Sequence, residues 1–322
     1  MHVVIYGAGA VGGVIGAQLF RAGIPTTLVA RGAHLQAIRE HGLILDDADG
    51  RHALPIPVAA DASEVQWRND SVVLLCVKSQ QTPAALDDLS AHAPWTTPIV
   101  AAQNGVTNER EILRRFPNAY GICVMLMGLH LEPGVVIQGS SAAPGILEVG
   151  RYPRGADDVA IAIATQLRNA GFPAEARDNI MAWKYRKLIM NLINGIDACF
   201  RDDGDAYRTL FERALAEGYA VLASAGIEMI DDETDRIRRA DHLQRRDTGE
   251  QSQGSSTWQS VERGAGDVEI DYLAGEIVLL GREYGVPTPV NELVQRQTTR
   301  LVREHLPAGS LDPADALREI DR

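Results

Sequence analysis

Short apolar runs alternate with helix-like segments along the first half of the chain. The runs are Val3-Val4-Ile5-Tyr6, residues 26–30, Val72-Val73-Leu74-Leu75-Cys76-Val77 and Ile99-Val100-Ala101-Ala102. Residues 33–41 and 108–116 have the spacing of helices. Strands of a parallel sheet are apolar because both faces are buried, and a helix connects each strand to the next. The alternation predicts a parallel sheet covered by helices on both sides.

Glycine, proline and serine punctuate residues 120–150, where two further runs occur. Val135-Val136-Ile137-Gln138 and Gly145-Ile146-Leu147-Glu148-Val149 have the length of strands. We interpret them as hairpin strands that extend the sheet, followed by a helix over residues 156–170.

From about residue 178 the pattern is helical almost throughout. The long candidates are 206–225, 233–246 and 268–284, with Gly226, Gly285 and Pro287 as terminators. The sequence predicts an α/β, Rossmann-like domain over residues 1–177 and an all-α domain over residues 178–322. Residues 247–256 are polar and rich in glycine and serine, which predicts a loop inside the helical domain, either part of a site or mobile.

A glycine turn directly follows the first apolar run. Gly7-Ala8-Gly9-Ala10-Val11-Gly12 leads into the helical pattern of residues 14–20. In this context the first glycine permits a tight turn, the second admits a pyrophosphate close to the backbone, and the third lets the helix pack on the strand. Amide groups of the first helical turn attract the phosphates. The turn therefore predicts a dinucleotide site.

Arg31 follows the second strand, where an NAD-specific site usually carries an acidic residue for the ribose 2′-hydroxyl. A guanidinium at this position favours a 2′-phosphate, which predicts NADP(H) as the cofactor. The alternative is that Arg31 is a solvated loop charge.

Composition narrows the class of protein. The chain has 322 residues, is 45% hydrophobic and carries a net charge of −12, which argues for two cores of ordinary size and against a broad nucleic-acid surface.

The three cysteines are well separated in apolar runs, which suits reduced thiols, and no metal-ligand spacing occurs. The first strand begins at once and the apolar stretches are short, so we expect a cytoplasmic protein without a signal peptide or membrane span.

A polar group interrupts the otherwise apolar pattern of residues 183–194. Lys187 and Asn191 lie one helical turn apart beside an apolar stripe that includes Leu188 and Leu192. They either form a polar surface for a ligand, or represent a lysine at the edge of the core and an asparagine in an interhelical hydrogen bond. The pattern does not decide between these alternatives.

Four further candidate residues also have purely structural explanations. Asp267 and Glu269 open a predicted helix, where capping by carboxylates is the more frequent explanation. Asn104 and Lys78 follow predicted parallel strands, and ligands bind at the carboxyl ends of such strands. Asn104 also stands in an Asn-Gly pair, which is common in turns.

Taken together, these segments resemble the ketopantoate reductase family of NADPH-dependent enzymes of pantothenate biosynthesis. The resemblance covers the glycine turn, Arg31, Val77-Lys78, Gln103-Asn104-Gly105, residues 183–191, Ser255-Ser256 and Glu269-Ile270-Asp271-Tyr272. It implies a Rossmann-like domain followed by a helical domain similar to that of 6-phosphogluconate dehydrogenase, with the site in the cleft between them. A homodimer through the helical domain is compatible with this fold.

The resemblance also implies roles for individual residues. Lys187 would donate a proton to the keto oxygen of a 2-oxo acid, and Glu269 would bind the hydroxyl group of the substrate. The remaining substrate contacts would come from Asn104, Asn191 and Ser256. The cofactor-binding residues that we predict are Gly7, Gly9, Ala10, Val11, Gly12, Arg31, Lys78 and Asn104.

The chain departs from the family pattern beside the substrate. Shortly after Asn191 the family usually has Asn-Pro, whereas this chain has Asn194-Gly195 in a segment that is one residue shorter. After Ser256, Thr257 replaces the usual methionine and is followed by Trp258. These departures leave two alternatives open: a same-fold reductase of another 2-oxo acid or of an imine, and a non-catalytic NADPH-binding regulator.

Overall fold

The computed structural model describes residues 1–200, 204–247, 254–262, 264 and 268–321. The described residues form two compact units. The first comprises those within Met1–Gln103, Thr107–Trp183 and Ile230–Ser252, and the second those within Asn104–Val106, Lys184–Met229 and Gln253–Arg322.

Eleven strands are found among the described residues, all in the first unit. In chain order they are β1 (His2–Tyr6), β2 (Thr26–Val29), β3 (Leu43–Asp47), β4 (Gly50–Leu54), β5 (Val58–Ala59), β6 (Ser71–Leu75), β7 (Ile99–Ala101), β8 (Ala119–Met125), β9 (Gly128–Leu129), β10 (Val135–Gln138) and β11 (Ile146–Arg151).

Seven strands form the main sheet in the order β11-β8-β7-β6-β1-β2-β5. All neighbours are parallel except β11, which runs antiparallel to β8. Tyr6 pairs with Val29 and with Leu75, and Leu75 pairs with Ala101, so the carboxyl ends of β1, β2, β6 and β7 meet at one edge. The predicted glycine turn, Arg31 and Lys78 all follow strands that end at this edge.

Both faces of the main sheet are buried. Val3 and Ile5 belong to one apolar cluster, and Val4 and Tyr6 belong to another. Because successive side chains of a strand point to opposite faces, these clusters lie on the two sides of the sheet. The predicted fold class is confirmed, including the helix at 33–41.

The helices of the described residues follow in chain order. They are α1 (Ala10–Arg21), α2 (Gly32–His41), α3 (Thr82–His92), α4 (Asn108–Leu113), α5 (Asp158–Asn169), α6 (Ile180–Met190), α7 (Leu192–Cys199), α8 (Asp205–Ser224), α9 (Asp232–Arg239), α10 (Ser256–Glu262), α11 (Ala274–Tyr284), α12 (Pro289–Glu304) and α13 (Pro313–Ile320). Short 3-10 helices span Ala62–Glu64, Ser79–Gln81 and Glu269–Tyr272. Within these ranges, no helix combines the length and the apolar character that crossing a membrane requires.

The predicted hairpin extension of the main sheet is wrong for one of its strands. β11 joins the main sheet, but β10 belongs to a second, four-stranded sheet of order β4-β3-β10-β9. β10 runs parallel to β3, more than 80 residues earlier in the chain, and pairs Val136 with Leu45. The sequence pattern did not identify β3 and β4. The run that forms β10 was therefore assigned to a hairpin with the neighbouring run.

The predicted helix at 233–246 is also too long. α9 ends at Arg239, and the following residues pair with the segment after β10: the Ser141 amide donates to the Gln244 carbonyl, and the Ala143 amide donates to the His242 carbonyl. This segment clusters with the first unit although it lies in the range predicted to be an all-α domain. The change between units near the predicted boundary falls inside α6, between Trp183 and Lys184.

In the second unit, a glycine permits close packing of two helices, and a half-buried carboxylate caps the start of a third. A Cβ on Gly218 of α8 would lie 2.6 Å from Ile189 of α6, so the glycine permits close approach. The Glu217 carboxylate accepts hydrogen bonds from the Val290 and Asn291 amides at the start of α12. Burial raises the pKa of Glu217. Gly226 and Gly285 follow α8 and α11 with positive φ, as predicted for helix terminators.

Candidate cofactor and active site

The glycine turn is held by contacts that only glycine allows. Gly7 has φ +106°, and a Cβ there would lie 2.9 Å from the Val77 nitrogen. A Cβ on Gly12 would lie 2.1 Å from the Gly7 carbonyl oxygen. Gly9 differs, because a Cβ added there would meet no described atom within 4 Å. The fold itself therefore requires Gly7 and Gly12, whereas Gly9 leaves open space beside the backbone.

Helix α1 begins beside this space. Gly9 is its N-cap, and the first turn, formed by Ala10, Val11 and Gly12, contains no acidic side chain. The first amides of a helix lack intrahelical acceptors and lie at the positive end of the helix dipole. The open space and the helix start together fit a pyrophosphate group.

His34 fastens the glycine turn to two other segments. One ring nitrogen, Nε2, lies 2.8 Å from the Ala8 carbonyl oxygen, and the other, Nδ1, accepts a hydrogen bond from the Gly134 amide at 2.8 Å. An amide can only donate, so Nδ1 carries no proton and the Nε2 proton goes to Ala8. Burial lowers the pKa of His34, the Ala8 contact raises it, and the neighbouring His130 lowers it further. The histidine pattern in the sequence gave no signal for this role.

Arg31 follows β2 and is the N-cap residue of α2. Its side chain is exposed, and its Nη2 atom donates to the Tyr6 hydroxyl at 3.2 Å. Tyr6 in turn donates to the Asp88 carboxylate at 2.5 Å. The exposed guanidinium is thus attached to the protein at one point. Tyr6 was predicted only as a member of a strand.

Buried polar side chains connect the turns that follow β6 and β7. The Gln103 amide donates to the Thr82 hydroxyl, Thr82 donates to Asn108, and the Asn108 amide donates to the Ser79 hydroxyl, at 2.9, 2.9 and 3.1 Å. All four side chains are at most 5% exposed. The network fixes the turn that begins with Lys78, which is half-buried and is the N-cap residue of the Ser79–Gln81 helix. Of the four network residues, the sequence indicated only Gln103, by its position at the end of a strand.

Two predicted substrate contacts lie side by side. The side-chain amide of Asn191 donates to Oδ1 of Asn104 at 3.3 Å, and Asn191 is buried. They are 87 residues apart in sequence. Asn191 also interrupts the predicted continuous helix, because α6 ends at Met190 and α7 begins at Leu192. The structure thus brings a strand-end asparagine to the junction of two helices.

Lys187 lies in the last turn of α6 and is half-buried. Its carbonyl oxygen accepts the Asn191 amide at 3.0 Å, so the two residues keep the one-turn spacing despite the break. Leu188 and Leu192 are each 1% exposed, which confirms the apolar stripe next to them.

Glu269 does not open the long helix that the sequence predicted. It belongs to the 3-10 helix Glu269–Tyr272, and α11 begins only at Ala274 after a sharp break at Leu273, with φ −117° and ψ −94°. A carboxylate there does not cap α11, and Asp267 lies outside the described residues. The 3-10 helix packs close to α7, because a Cβ on Gly195 would lie 2.8 Å from the Ile270 side chain. The close approach of Gly195 to Ile270 therefore sets how the 3-10 helix that carries half-buried Glu269 lies against α7.

Ser255 makes the contacts that fasten α10 to α7. Its amide donates to the Asp197 carboxylate at 2.6 Å, its hydroxyl donates to the Asn194 carbonyl at 3.1 Å, and its oxygen accepts the Trp258 amide at 3.2 Å. Ser256, the predicted substrate contact, is the exposed first residue of α10. Ser255 thus acts as a helix cap, and the predicted loop at 247–256 lies partly outside the described residues.

The doubly wound α/β unit with its open glycine turn indicates a pyridine-nucleotide-dependent oxidoreductase. Comparison with known families agrees. The family model for "Ketopantoate reductase PanE/ApbA" matches residues 3–154, and the model for its C-terminal part matches residues 179–301. The chain belongs to the ketopantoate reductase family.

Curated relatives are similar over nearly their whole length. The 2-dehydropantoate 2-reductase of Mesorhizobium japonicum is 30% identical, covering 94% of this chain and 98% of that protein. The enzyme of the same name from Pyrococcus horikoshii is 28% identical, covering 91% and 95%.

Known structures show the same fold. A PanE/ApbA family ketopantoate reductase from Ralstonia eutropha JMP134 has a TM-score of 0.80 at 29% identity, covering 95% of this chain and 99% of that one. D-mandelate dehydrogenase with NADH and anilino(oxo)acetate has a TM-score of 0.81 at 24% identity, covering 95% and 100%.

Proposed function

We propose that this protein uses NADPH to reduce a 2-oxo acid to a 2-hydroxy acid, and that the substrate is 2-dehydropantoate (ketopantoate), which becomes pantoate in pantothenate biosynthesis. The observation that carries the proposal is the 3.3 Å contact between Asn104 and Asn191, one helical turn from Lys187. The relatives named 2-dehydropantoate 2-reductase support the choice of substrate.

The cofactor would be held by the glycine turn, Arg31, Lys78 and Asn104. The open space at Gly9 fits a pyrophosphate, and the exposed guanidinium of Arg31 suits a 2′-phosphate. When bound, the reduced nicotinamide supplies the hydride that the carbonyl carbon of the substrate accepts.

Lys187 is the proton donor in this proposal. Its ammonium group gives a proton to the keto oxygen and stabilises the negative charge that develops there, a contribution of about 10²- to 10⁴-fold in rate. Glu269 accepts a hydrogen bond from the hydroxyl group of the substrate. Asn104, Asn191 and Ser256 supply the remaining polar contacts.

The Lys187→Ala variant tests this assignment. We expect kcat to fall by about 10²- to 10⁴-fold with the Kd for NADPH within twofold of the parent value. Arg300→Ala, which removes an exposed cation of α12, is the control and should leave kcat unchanged. A Lys187→Ala enzyme as fast as the parent would remove the proton-donor role. A parent protein that binds NADPH but turns over no 2-oxo acid would favour the regulator alternative.

Trp258 favours one alternative substrate class. It is half-buried in the first turn of α10, and its amide binds the Ser255 cap beside Ser256. An aromatic side chain at this place suits a 2-oxo acid with a larger apolar substituent. A panel of 2-oxo acids assayed with NADPH distinguishes ketopantoate from these larger substrates. A kcat/KM for an aryl 2-oxo acid well above that for ketopantoate would overturn the assignment of ketopantoate as the substrate.

Cofactor preference has its own test. Arg31→Asp replaces a cation with an anion, and we expect it to weaken NADPH binding by a few kcal/mol relative to NADH, because a charge-assisted phosphate contact is replaced by repulsion. Fluorescence titration with both nucleotides measures the preference. An unchanged ratio of the two Kd values would assign the 2′-phosphate to other residues.

The proposal also includes location and assembly. A cytoplasmic enzyme is supported by the cysteines Cys76, Cys123 and Cys199, which are reduced in the described part of the chain. A homodimer through the helical domain is supported by exposed apolar side chains on α11, with Leu279 and Tyr284 about half exposed. Light scattering on the purified protein measures the mass, and a monomer at micromolar concentration would exclude the dimer.

A further inference from the structure

Two arginine–tyrosine–aspartate clusters occur in the first unit, and they use the arginine differently. In the cluster around β8, Tyr120 donates to the Asp157 carboxylate at 2.8 Å, and Arg151 lies 3.4 Å from the Tyr120 oxygen. Arg151 also pairs with Asp157 directly, at 2.7 Å. The carboxylate therefore neutralises this guanidinium, and the cluster is closed.

The cluster at the end of β1 is open. Tyr6 donates to Asp88 at 2.5 Å, and Arg31 donates to the Tyr6 oxygen at 3.2 Å. Throughout the described part of the chain, Arg31 has no carboxylate within ion-pair distance. The tyrosine hydroxyl thus stands between the two charges.

The hydrogen-bond directions explain why this arrangement matters. A hydroxyl has one proton, which Tyr6 gives to Asp88, so its oxygen is left as an acceptor for Arg31. Burial and the adjacent carboxylate raise the pKa of Tyr6, which keeps the proton in place. Asp88 is fixed in turn by the Ala62 amide at 2.9 Å. One N–H group of Arg31 is therefore anchored, while its charge stays unpaired and its other donors stay available to an anion.

Position in the sheet links the open cluster to the proposed cofactor site. Tyr6 directly precedes Gly7, and Arg31 follows β2, the strand that pairs with β1. Tyr6 is 2% exposed, so its ring is fixed by the core and its hydroxyl is a rigid point of attachment. A long arginine side chain loses conformational entropy when it binds a phosphate, and a preset anchor reduces that loss.

We propose that Tyr6, braced by Asp88, is a positioning residue for cofactor selection, which holds Arg31 ready for the 2′-phosphate of NADPH without neutralising it. This inference rests on the proposed role of Arg31 in binding that phosphate. It assigns part of the preference for NADPH over NADH to a buried hydroxyl that does not touch the nucleotide.

The test is a double-mutant cycle on binding. The Kd values for NADPH and NADH are measured by fluorescence titration for the parent, Tyr6→Phe, Arg31→Ala and the double variant. We expect Tyr6→Phe to weaken NADPH binding about three- to tenfold, the range for one hydrogen bond, and NADH binding less than twofold. In the Arg31→Ala background, Tyr6→Phe should leave the ratio of the two Kd values unchanged.

Tyr120→Phe is the matched control. It removes a hydroxyl from an equally buried tyrosine bound to aspartate and arginine, three strands away in the same sheet. It should lower thermal stability by a similar amount and leave both Kd values within twofold. An equal loss of NADPH and NADH binding in Tyr6→Phe would mean a general structural effect and would overturn the inference. If Arg31→Ala itself leaves the preference intact, the proposed role of Arg31 fails instead.

Discussion

Replacing His34 by alanine is expected to loosen the glycine turn. The imidazole joins Ala8 in that turn to Gly134 in the segment before β10, with both hydrogen bonds at 2.8 Å. Alanine removes both bonds and leaves the Ala8 carbonyl, whose residue is 2% exposed, without this donor. Two net hydrogen bonds of about 0.5–1.5 kcal/mol each give an expected loss of about 1–3 kcal/mol in the free energy of unfolding.

The pH dependence of the free energy of unfolding distinguishes the two His34 hydrogen bonds from ordinary packing. The unfolded histidine titrates near pH 6.5, whereas burial lowers the pKa of folded His34. Between the two values the unfolded chain binds more protons, so the contribution of His34 is complete above about pH 6.5 and declines as the pH falls below it. Burial lowers the pKa of His2 as well, so only a comparison between variants isolates His34.

Urea titrations at several pH values, with the parent and with His34→Ala and His34→Gln, test the prediction. Glutamine can still donate and accept but does not titrate, so we expect its stability to fall less steeply than that of the parent between pH 6.5 and 5. We also expect the Kd of His34→Ala for NADPH to rise about threefold or more. Equal pH slopes for the parent and His34→Gln, or an unchanged free energy of unfolding in His34→Ala, would refute the reasoning.

Two further predictions concern packing and buried charge. Gly12→Ala places a Cβ 2.1 Å from a backbone oxygen of the glycine turn and should destabilise the fold by about 1–3 kcal/mol. Gly9→Ala has open space around its Cβ, so it should leave the melting temperature unchanged and weaken only NADPH binding. Equal melting temperatures for the two variants would contradict this prediction. The Glu148 side chain is 2% exposed and forms ion pairs with Arg177 and Arg238. Glu148→Gln should therefore lower the free energy of unfolding, measured by urea titration, by about 3 kcal/mol. A decrease of less than about 1 kcal/mol would show that these ion pairs contribute little to stability.

Much of the fold was predictable because its signals are local. The apolar runs identified β1, β2, β6 and β7, since a strand buried on both faces must be apolar along its whole length. The glycine turn was recognisable because tight backbone contacts at Gly7 and Gly12 admit no other residue. Gly226 and Gly285 marked helix ends because a left-handed backbone favours glycine.

Parts of the candidate site were predictable for a similar reason. The carboxyl ends of parallel strands share one edge, which predicts that Arg31 and Lys78 lie near the glycine turn. The roles of Lys187 and Glu269 came from the family resemblance and stay predictions.

Other features depend on partners far away in the chain. Only the tertiary structure showed that β10 pairs with β3 and that Asn191 donates a hydrogen bond to Asn104. It also showed that Tyr6 donates a hydrogen bond to Asp88, which lies 82 residues later in the chain. Hydrophobic periodicity reports which face of a segment is buried, but it does not say against what. The identity of the partner is settled when the whole chain packs, because burial of a polar group is tolerated only where that packing supplies its hydrogen bond.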